Sequence, residues 1–387
     1  MCTSPRLETP ARRYPCPSGG NHLMITDPPI TIQVDSTDPF GRGLQRGRAI
    51  RDVLAESLSI YLALFATAGI SPETVQLNAE LALRATREWC MDLASEMEGT
   101  AEGSGLAVWQ VAALNARTEI LSGGLGAKPG ECSTIVNARN NPIGAQTWDW
   151  HDELSDHWHL QEVRGNARDF VGLTEYGIIS KIGINDAGVG ILLNILGHRA
   201  DRADGVPVHL VGARVLAQAS TLAEAVDILL SAPVSTSSAI TVVSPEGAVI
   251  VELSPVGAAV VQPQNDVLLH TNHFLDDRLA QGEKPGLYDP DSQLRLATLT
   301  DRVRLSPLPP DASGLLPFLV SQPGDPAQLC CVPADGAVLG DRWATLATIT
   351  LDSAARGMTV SAGSPADTID TETVRLVAEH RTGGVGR

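Results

Sequence analysis

Basic residues are in short supply: 28 Lys and Arg stand against 45 Asp and Glu, a formal net charge of −17. Nucleic acid and anionic membrane both need a basic face, so an acidic chain of this kind is expected to bind neither. Long apolar runs are missing as well, and without eighteen consecutive apolar residues no helix is expected to span a bilayer. The six cysteines (Cys2, Cys16, Cys90, Cys132, Cys330, Cys331) form no CxxC pair and no disulfide-scaffold spacing, which indicates a reducing, cytoplasmic setting. There is no phosphate-binding P-loop, no dinucleotide fingerprint and no His-Glu-x-x-His. No cofactor is therefore expected. No period of twenty to fifty residues repeats, so the chain is not a solenoid or propeller.

What is present is a 387-residue chain with 43% hydrophobic content, enough for one large domain or two ordinary ones. The first 29 residues carry six prolines and no apolar stretch of the kind a secretory signal needs, and read as a disordered tail. Ile30 to Val34 alternates like a strand. From 30 to 131 the remaining pattern is mostly helical, with apolar spacing over 44–66, 72–84, 88–98 and 108–120. This stretch holds few acids, bases or nucleophiles arranged like a site.

The character changes after Gly130. Cys132–Ala138 and Ile143–Trp150 read as a hairpin around an Asn-Asn-Pro turn, and strands are expected over 158–164, 170–173, 178–184 and 189–193. Two helices follow, "VPVHLVGARVLAQAS" and "TLAEAVDILLSA", the second with Thr221 as N-cap and Glu224 three residues on. Strands return at 239–243, 248–253, 258–262 and 267–269, a helix at 291–304, and a closing hairpin at 345–351 and 358–360. Strands in runs with helices in blocks indicate layered α+β rather than alternating βαβ.

Cys132 sits in "GECST", after the Gly-rich lead-in from Ser122 to Gly130. A lone strand cysteine is ordinarily a small buried hydrophobe. Here polar neighbours and a loop that tolerates cutting suggest another role. Cleavage of the Glu131–Cys132 bond would give one residue both a thiol and an α-amine. An α-amine titrates at about 7.7–8.0 when unperturbed, so it is a base near working pH beside the nucleophile it must activate. No catalytic histidine is then required, and none of the nine histidines makes an evident Cys-His pair. The same thiol can attack the Glu131 carbonyl and make the cut itself.

With these features in view, "ECSTIV … GAQTWDW" resembles the start of the mature chain in the isopenicillin N acyltransferase family of N-terminal nucleophile hydrolases. "GRGLQRGRAI", "PVHLVGARVLAQASTLAEAVDIL", "HTNHF", "DSQLRL" and "DRWATLATITLDSAARGMTV" resemble later blocks in the same order. The resemblance implies an α+β, four-layer αββα sandwich in which residues 132–387 form the core (a heavy chain) and 30–131 a helical light chain. It implies Cys132 as nucleophile and Asp149, seventeen positions on, as the carboxylate that orients the α-amine. Asn272 is implied as an oxyanion donor, and Arg342 as the arginine beside the thiol or Asp149. Trp148 and Trp150 are expected to border the substrate. The implied activity is hydrolysis of linear amide or acyl-thioester bonds through an acyl-cysteine, with CoA-dependent acyl transfer to an amine such as a β-lactam nucleus as the alternative. The expected partners are a small-molecule substrate, possibly a CoA thioester, and the two chains of one precursor. Glu131 departs from the family's glycine before the nucleophile.

Other readings compete. His151, Asp152, His157 and His159 cluster in "HDELSDHWHL", with His157 and His159 expected on one strand face, but no third ligand arrives at metal-site spacing; no metal is assigned. A cysteine hydrolase using His270 or His273 as base is a third mechanism, and a non-catalytic binding protein on the same scaffold a fourth reading. Lys181, in "SKIGINDAGVG", is given no chemistry.

Overall fold

The computed structural model describes residues 29–124, 132–284, 291–333, 336–366 and 372–379. The Pro-rich tail, but for its last residue, and the stretch 125–131, Glu131 included, lie outside those residues. The chain opens with β1 (Thr31–Asp35) and then α1 (Pro39–Ala49), α2 (Arg51–Thr67), α3 (Pro72–Trp89), α4 (Met91–Ser104), α5 (Val108–Asn115) and α6 (Arg117–Ser122). After Cys132 come β2 (Ser133–Asn137), β3 (Ile143–His151), β4 (Trp158–Arg164), β5 (Phe170–Glu175), β6 (Ile182–Asn185) and β7 (Gly190–Ile195). Helices α7 (Val208–Gln218) and α8 (Leu222–Ser231) precede β8 (Ser238–Ser244), β9 (Gly247–Ser254), β10 (Gly257–Val261) and β11 (Val267–His270). The rest is α9 (Asp277–Ala280), α10 (Asp291–Leu305), α11 (Leu316–Leu319), β12 (Trp343–Asp352), β13 (Gly357–Ala362) and β14 (Thr373–Val377).

The strands form an eight-stranded sheet, β1-β4-β5-β6-β7-β8-β9-β10, and a six-stranded sheet, β11-β2-β3-β12-β13-β14. Their inner faces meet where β13 and β14 pack on β5 and where β2 packs on β7. Helices α7 and α8 lie on the first sheet; α10 lies against β11 and α11 against β3 of the second. These are four layers, α/β/β/α, the arrangement expected from the sequence. Every residue of β3 is buried, as are all of β5, β6, β7 and β8. Strands covered on both faces read as continuous apolar runs instead of alternating ones.

Local chemistry explains most boundaries. Thr221 Oγ1 accepts from the Glu224 amide at 3.1 Å, and the Glu224 carboxylate reaches back to the Ser220 amide at 2.7 Å, so both partners of this cap satisfy orphan N–H groups. Asn140 and Asn141 adopt positive φ in the β2–β3 turn, a conformation that asparagine tolerates. Three helical expectations need correction: 88–98 is interrupted at Cys90, between α3 and α4, and 108–120 at Ala116, between α5 and α6. The stretch 44–66 is not a single helix: the chain breaks at Ile50, between α1 and α2. Helix α1 packs main chain to main chain on α4. A Cβ on Gly43 would sit 2.0 Å from the Glu96 carbonyl oxygen, and one on Gly99 would sit 2.1 Å from that of Phe40. Apolar periodicity cannot register a contact face built of glycine. Beside it Arg42 and Arg46 converge on buried Glu96 at 3.1 and 2.9 Å, and Arg46 also donates to Gln161 of β4.

The segment before Cys132 belongs to this core rather than lying on it. β1 pairs in parallel with β4, Thr31 opposite Leu160, and forms the edge of the large sheet.

Candidate active site

Cys132 immediately precedes β2 and is 4% exposed. Its amide N–H donates to Asn272 Oδ1 at 2.9 Å. Its carbonyl accepts from Asn194 Nδ2 and from Arg295 Nη1, each at 3.0 Å. Three separate elements thus hold the main chain of one residue: the turn after β11, the end of β7, and α10.

Arg295 is the organiser of this cluster, and it is 1% exposed. Nη1 also donates to Ser133 Oγ at 3.2 Å, Nη2 to Asn272 Oδ1 at 3.0 Å, and Nε to Asp291 one turn earlier at 2.6 Å. A planar guanidinium can serve all these acceptors at once, which an ammonium cannot. Two donors on one oxygen also fix which way the Asn272 amide points. Its Nδ2 donates to the Ile195 carbonyl at 2.9 Å. Asn272 therefore sits at Cys132 as expected, but in these contacts it holds the Cys132 nitrogen.

Asp149 is 1% exposed and accepts from Thr345 Oγ1 at 2.7 Å. Burial pushes the Cys132 thiol up to about 11, and the Asp149 carboxylate adds to the rise. The Asp149 main-chain N–H and the cations Lys181 and Arg295 pull the other way. In the uncut chain the thiol is thus strongly protonated and needs a base.

Arg342 is placed elsewhere. It pairs with Asp152 and lies 3.8 Å from Glu153, with 43% of its side chain exposed. The register explains why: Trp343 pairs with His151, so Arg342 falls beyond the strand ends, opposite the loop carbonyls and carboxylates of 152–153. The guanidinium at Cys132 is that of Arg295, from the "DSQLRL" block. Ser292, Arg295, Thr298 and Leu299 form the buried face of α10, and a cation on a buried face calls for an anion or a carbonyl; a face so polar gives no apolar periodicity by which the sequence could single Arg295 out.

Trp148 and Trp150 are 1% and 2% exposed and do not present free faces to a substrate. Lys181 Nζ lies 3.6 Å from the centre of the Trp148 ring, and Arg117 lies 3.9 Å from that of Trp150. Trp150 Nε1 donates to Tyr61 Oη at 2.9 Å. Beneath them Glu175 accepts from Lys181 at 2.8 Å, from Arg117 Nε at 3.2 Å, and from Tyr61. Burial would raise the Glu175 carboxyl, but Arg117 and Lys181 outweigh it and hold it well below the usual range. Tyr61 and Arg117 come from the segment before Cys132, which sequence reasoning had left without chemistry. That segment supplies half of the buried network flanking the thiol.

His270 and His273 are engaged away from the thiol. His270 is fully buried, with its ring nitrogens 2.9 Å from Glu252 and 2.7 Å from the Thr271 carbonyl oxygen. His273 Nδ1 lies 2.7 Å from Ser292 Oγ. Both brace the loop that carries Asn272. His157 and His159 do not share a strand face, since β4 begins at Trp158; His157 meets Ser57 and His159 stacks on Tyr176. A cavity of about 950 Å³ opens beside β11 and α10, lined in part by Leu268, Leu296 and Val303. Cys132, Asp149, Asn272 and Arg295 are not among its lining residues.

With this geometry established, comparison with known proteins is informative. The family model for acyl-coenzyme A:6-aminopenicillanic acid acyl-transferase matches residues 136–367. A curated relative from Emericella nidulans, the 40 kDa form of acyl-coenzyme A:6-aminopenicillanic-acid-acyltransferase, is 28% identical over 242 residues, 61% of this chain and 67% of that protein. Among solved structures, the penicillin V acylase of Agrobacterium tumefaciens is similar at a TM-score of 0.39 and 14% identity, covering 64% of this chain and 86% of that one. A mutant conjugated bile acid hydrolase of Clostridium perfringens is similar at 0.41 and 12%, covering 66% and 100%. The family match spans well over half of the chain, and on it the chain belongs to the acyl-coenzyme A:6-aminopenicillanic acid acyl-transferase family.

Proposed function

We propose that this protein is made as a precursor that cuts itself before Cys132, and that the mature enzyme cleaves linear amide or acyl-thioester bonds through an acyl-Cys132 intermediate. The observation that carries the reading is the grip on Cys132. Its nitrogen is held by Asn272 and its carbonyl by Asn194 and Arg295, so the residue would stay in register once it became a chain terminus. A merely structural cysteine has no need of main-chain anchors from three elements.

In this reading the freed α-amine takes the thiol proton, and sulfur attacks the substrate carbonyl. Asn272 Oδ1 and the Asp149 carboxylate position that amine, and the Asn272 amide N–H that the Ile195 carbonyl does not take serves the oxyanion. Water then releases the acid. Transfer to an amine, as the name of the Emericella nidulans relative describes for 6-aminopenicillanic acid and acyl-CoA, is the second outcome of the same intermediate. Residues 30–131 and 132–387 would remain together as light and heavy chains. Cys90 and Cys132 are free thiols, and a reducing, cytoplasmic compartment is part of the proposal. Among the described residues no single helix is long and apolar enough to cross a membrane.

Intact-mass analysis tests the proposal. Wild type is expected to give two chains, the second beginning at Cys132, and Cys132→Ala to stay whole. Incubation with linear amides, β-lactam side-chain amides and acyl-CoA, with and without a free amine, should leave an acyl adduct on the new N-terminal cysteine. A wild-type chain that remains whole, unacylated and inert to alkylation would instead make this a binding protein on an enzyme's scaffold.

A further inference from the structure

The mature mechanism leaves a gap at the moment of self-cleavage. The α-amine that serves as base afterwards is, before the cut, a peptide nitrogen with no basicity, and it donates its N–H to Asn272. The thiol at that stage is buried and protonated. His270 and His273 are engaged with the Asn272 loop. Some other group must accept the Cys132 proton.

From the sheet register and the buried network we infer that Lys181 is the proton acceptor for Cys132 during self-cleavage. β2 and β3 pair Ser133 with Thr147, so one step further sets Cys132 across from Trp148, with both side chains on the inner face of the small sheet. Lys181, just before β6 in the large sheet, reaches across the layer and lays its Nζ on the Trp148 ring, 3.6 Å from its centre. It is 4% exposed, in a run, "GIISKIGI", that is apolar but for Ser180 beside it. A buried lysine is the type of residue whose basicity can be brought down to neutral pH.

The charges that face Lys181 are Glu175 of β5, Arg117 of α6, His209 of α7 and the Cys132 thiol itself. Burial drives the ammonium down, Glu175 opposes that, and Arg117 reinforces it, so the group titrates at about 7. Glu175 is shared with Arg117 and Tyr61, which weakens its hold on the lysine proton. A neutral amine is therefore available at working pH on the face where the thiol must be deprotonated.

The step balances without any added reagent. Neutral Nζ takes the Sγ proton as sulfur bonds to the carbonyl carbon of the preceding residue. The tetrahedral oxyanion collapses and the C–N bond to Cys132 breaks. The ammonium returns its proton to the departing nitrogen, which leaves as the α-amine. Water hydrolyses the thioester and restores the thiol. Lys181 ends as it began, and the amine it has released becomes the base for turnover.

This inference rests on the self-cleavage reading, and the experiment separates the two. Full-length wild type, Lys181→Arg and Lys181→Met are made by cell-free translation, and the heavy chain is followed by gel from pH 6 to 9, with thermal melting as a check on folding. The wild-type rate should climb with pH and level off above about 7. Lys181→Arg keeps a cation over Trp148 and a partner for Glu175 but stays protonated, so cleavage should slow by about 100-fold or more and lose that inflection. Lys181→Met keeps an apolar stem and should be as slow. If folded Lys181→Arg or Lys181→Met cleaves within a few-fold of wild type, the inference is overturned while self-cleavage stands. A wild-type rate flat between pH 6 and 9 overturns it too, independently of how the variants fold. If wild type never cleaves, the self-cleavage reading falls first and takes this one with it.

Discussion

The two sides of Cys132 are built on different plans. Where the turn after β11, the end of β7 and α10 converge, the contacts are to its main chain: Asn272, Asn194 and Arg295 hold a nitrogen and a carbonyl. Around β5 and the start of β6 there is no such grip, only a buried set of charges, Lys181, Glu175 and Arg117, under two tryptophans. The first plan fixes where the nucleophile is. The second fixes the field it sits in, and it draws Arg117 and Tyr61 from the segment before the proposed cut. Position and reactivity are thus assigned to different parts of the chain, and each can be broken separately.

The largest expected effect comes from the charged side. Glu175→Gln leaves Arg117 and Lys181 buried without their shared anion, and breaking a buried pair of this kind costs about 3–5 kcal/mol. Urea denaturation should show the loss. Its pH dependence has a definite sign. A lysine whose folded pKa lies below its unfolded value sheds its proton first in the folded state, so stability rises with pH across the interval between the two. In the variant that interval opens at a lower pH than in wild type. The deficit should therefore shrink as pH rises to about 7, where wild-type Lys181 also discharges, and stay constant above. A deficit that grows with pH would mean Lys181 is not the group left exposed to the change.

The next effect belongs to the gripping side. Arg295→Ala removes every guanidinium contact to Cys132, Ser133 and Asn272, and turnover should fall by about a hundredfold to a thousandfold, the scale of losing one preorganised donor at a reacting centre. Arg295→Lys should recover little of it, because a point charge cannot match the fork. Full recovery by lysine would show that charge alone is at work there.

The smallest effect is expected at Arg342. Its partners Asp152 and Glu153 are partly exposed and so is it, and pairs of that kind contribute about 0–1 kcal/mol. Turnover of Arg342→Ala should stay within a few-fold of wild type. A loss comparable to that of Arg295→Ala would restore Arg342 to the site and reverse the assignment made here.

The contrast between these arginines also shows what the sequence could tell. The strand 158–164 and the hairpin at Cys132 were legible because alternation, turn asparagines and short loops are local properties, and β4 and the β2–β3 pair fall where they were expected. The choice between Arg295 and Arg342 depends on which of two residues, 163 and 210 positions away, is carried to Cys132 by packing and register. No local pattern holds that. Lys181 does carry a visible mark, a cation in a run that is apolar but for Ser180, whereas the buried face of α10 around Arg295 is mostly polar and carries no such mark. The α1–α4 contact was hidden for a different reason: its face is glycine, and a missing side chain leaves no periodicity to read.

β1 gives the design one more consequence, in how the protein must be manufactured. The strand closes the edge of the large sheet by pairing along β4. A gene truncated to begin at Cys132 would leave that edge bare, and an unpaired strand edge is a template for aggregation. It would also leave Glu175 and Lys181 without Arg117 and Tyr61. A chain started at Cys132 and a chain cut there share one sequence but have different histories. In the second, the preceding segment has already shielded the edge and set the charges, much as a mould stays attached to what was cast in it.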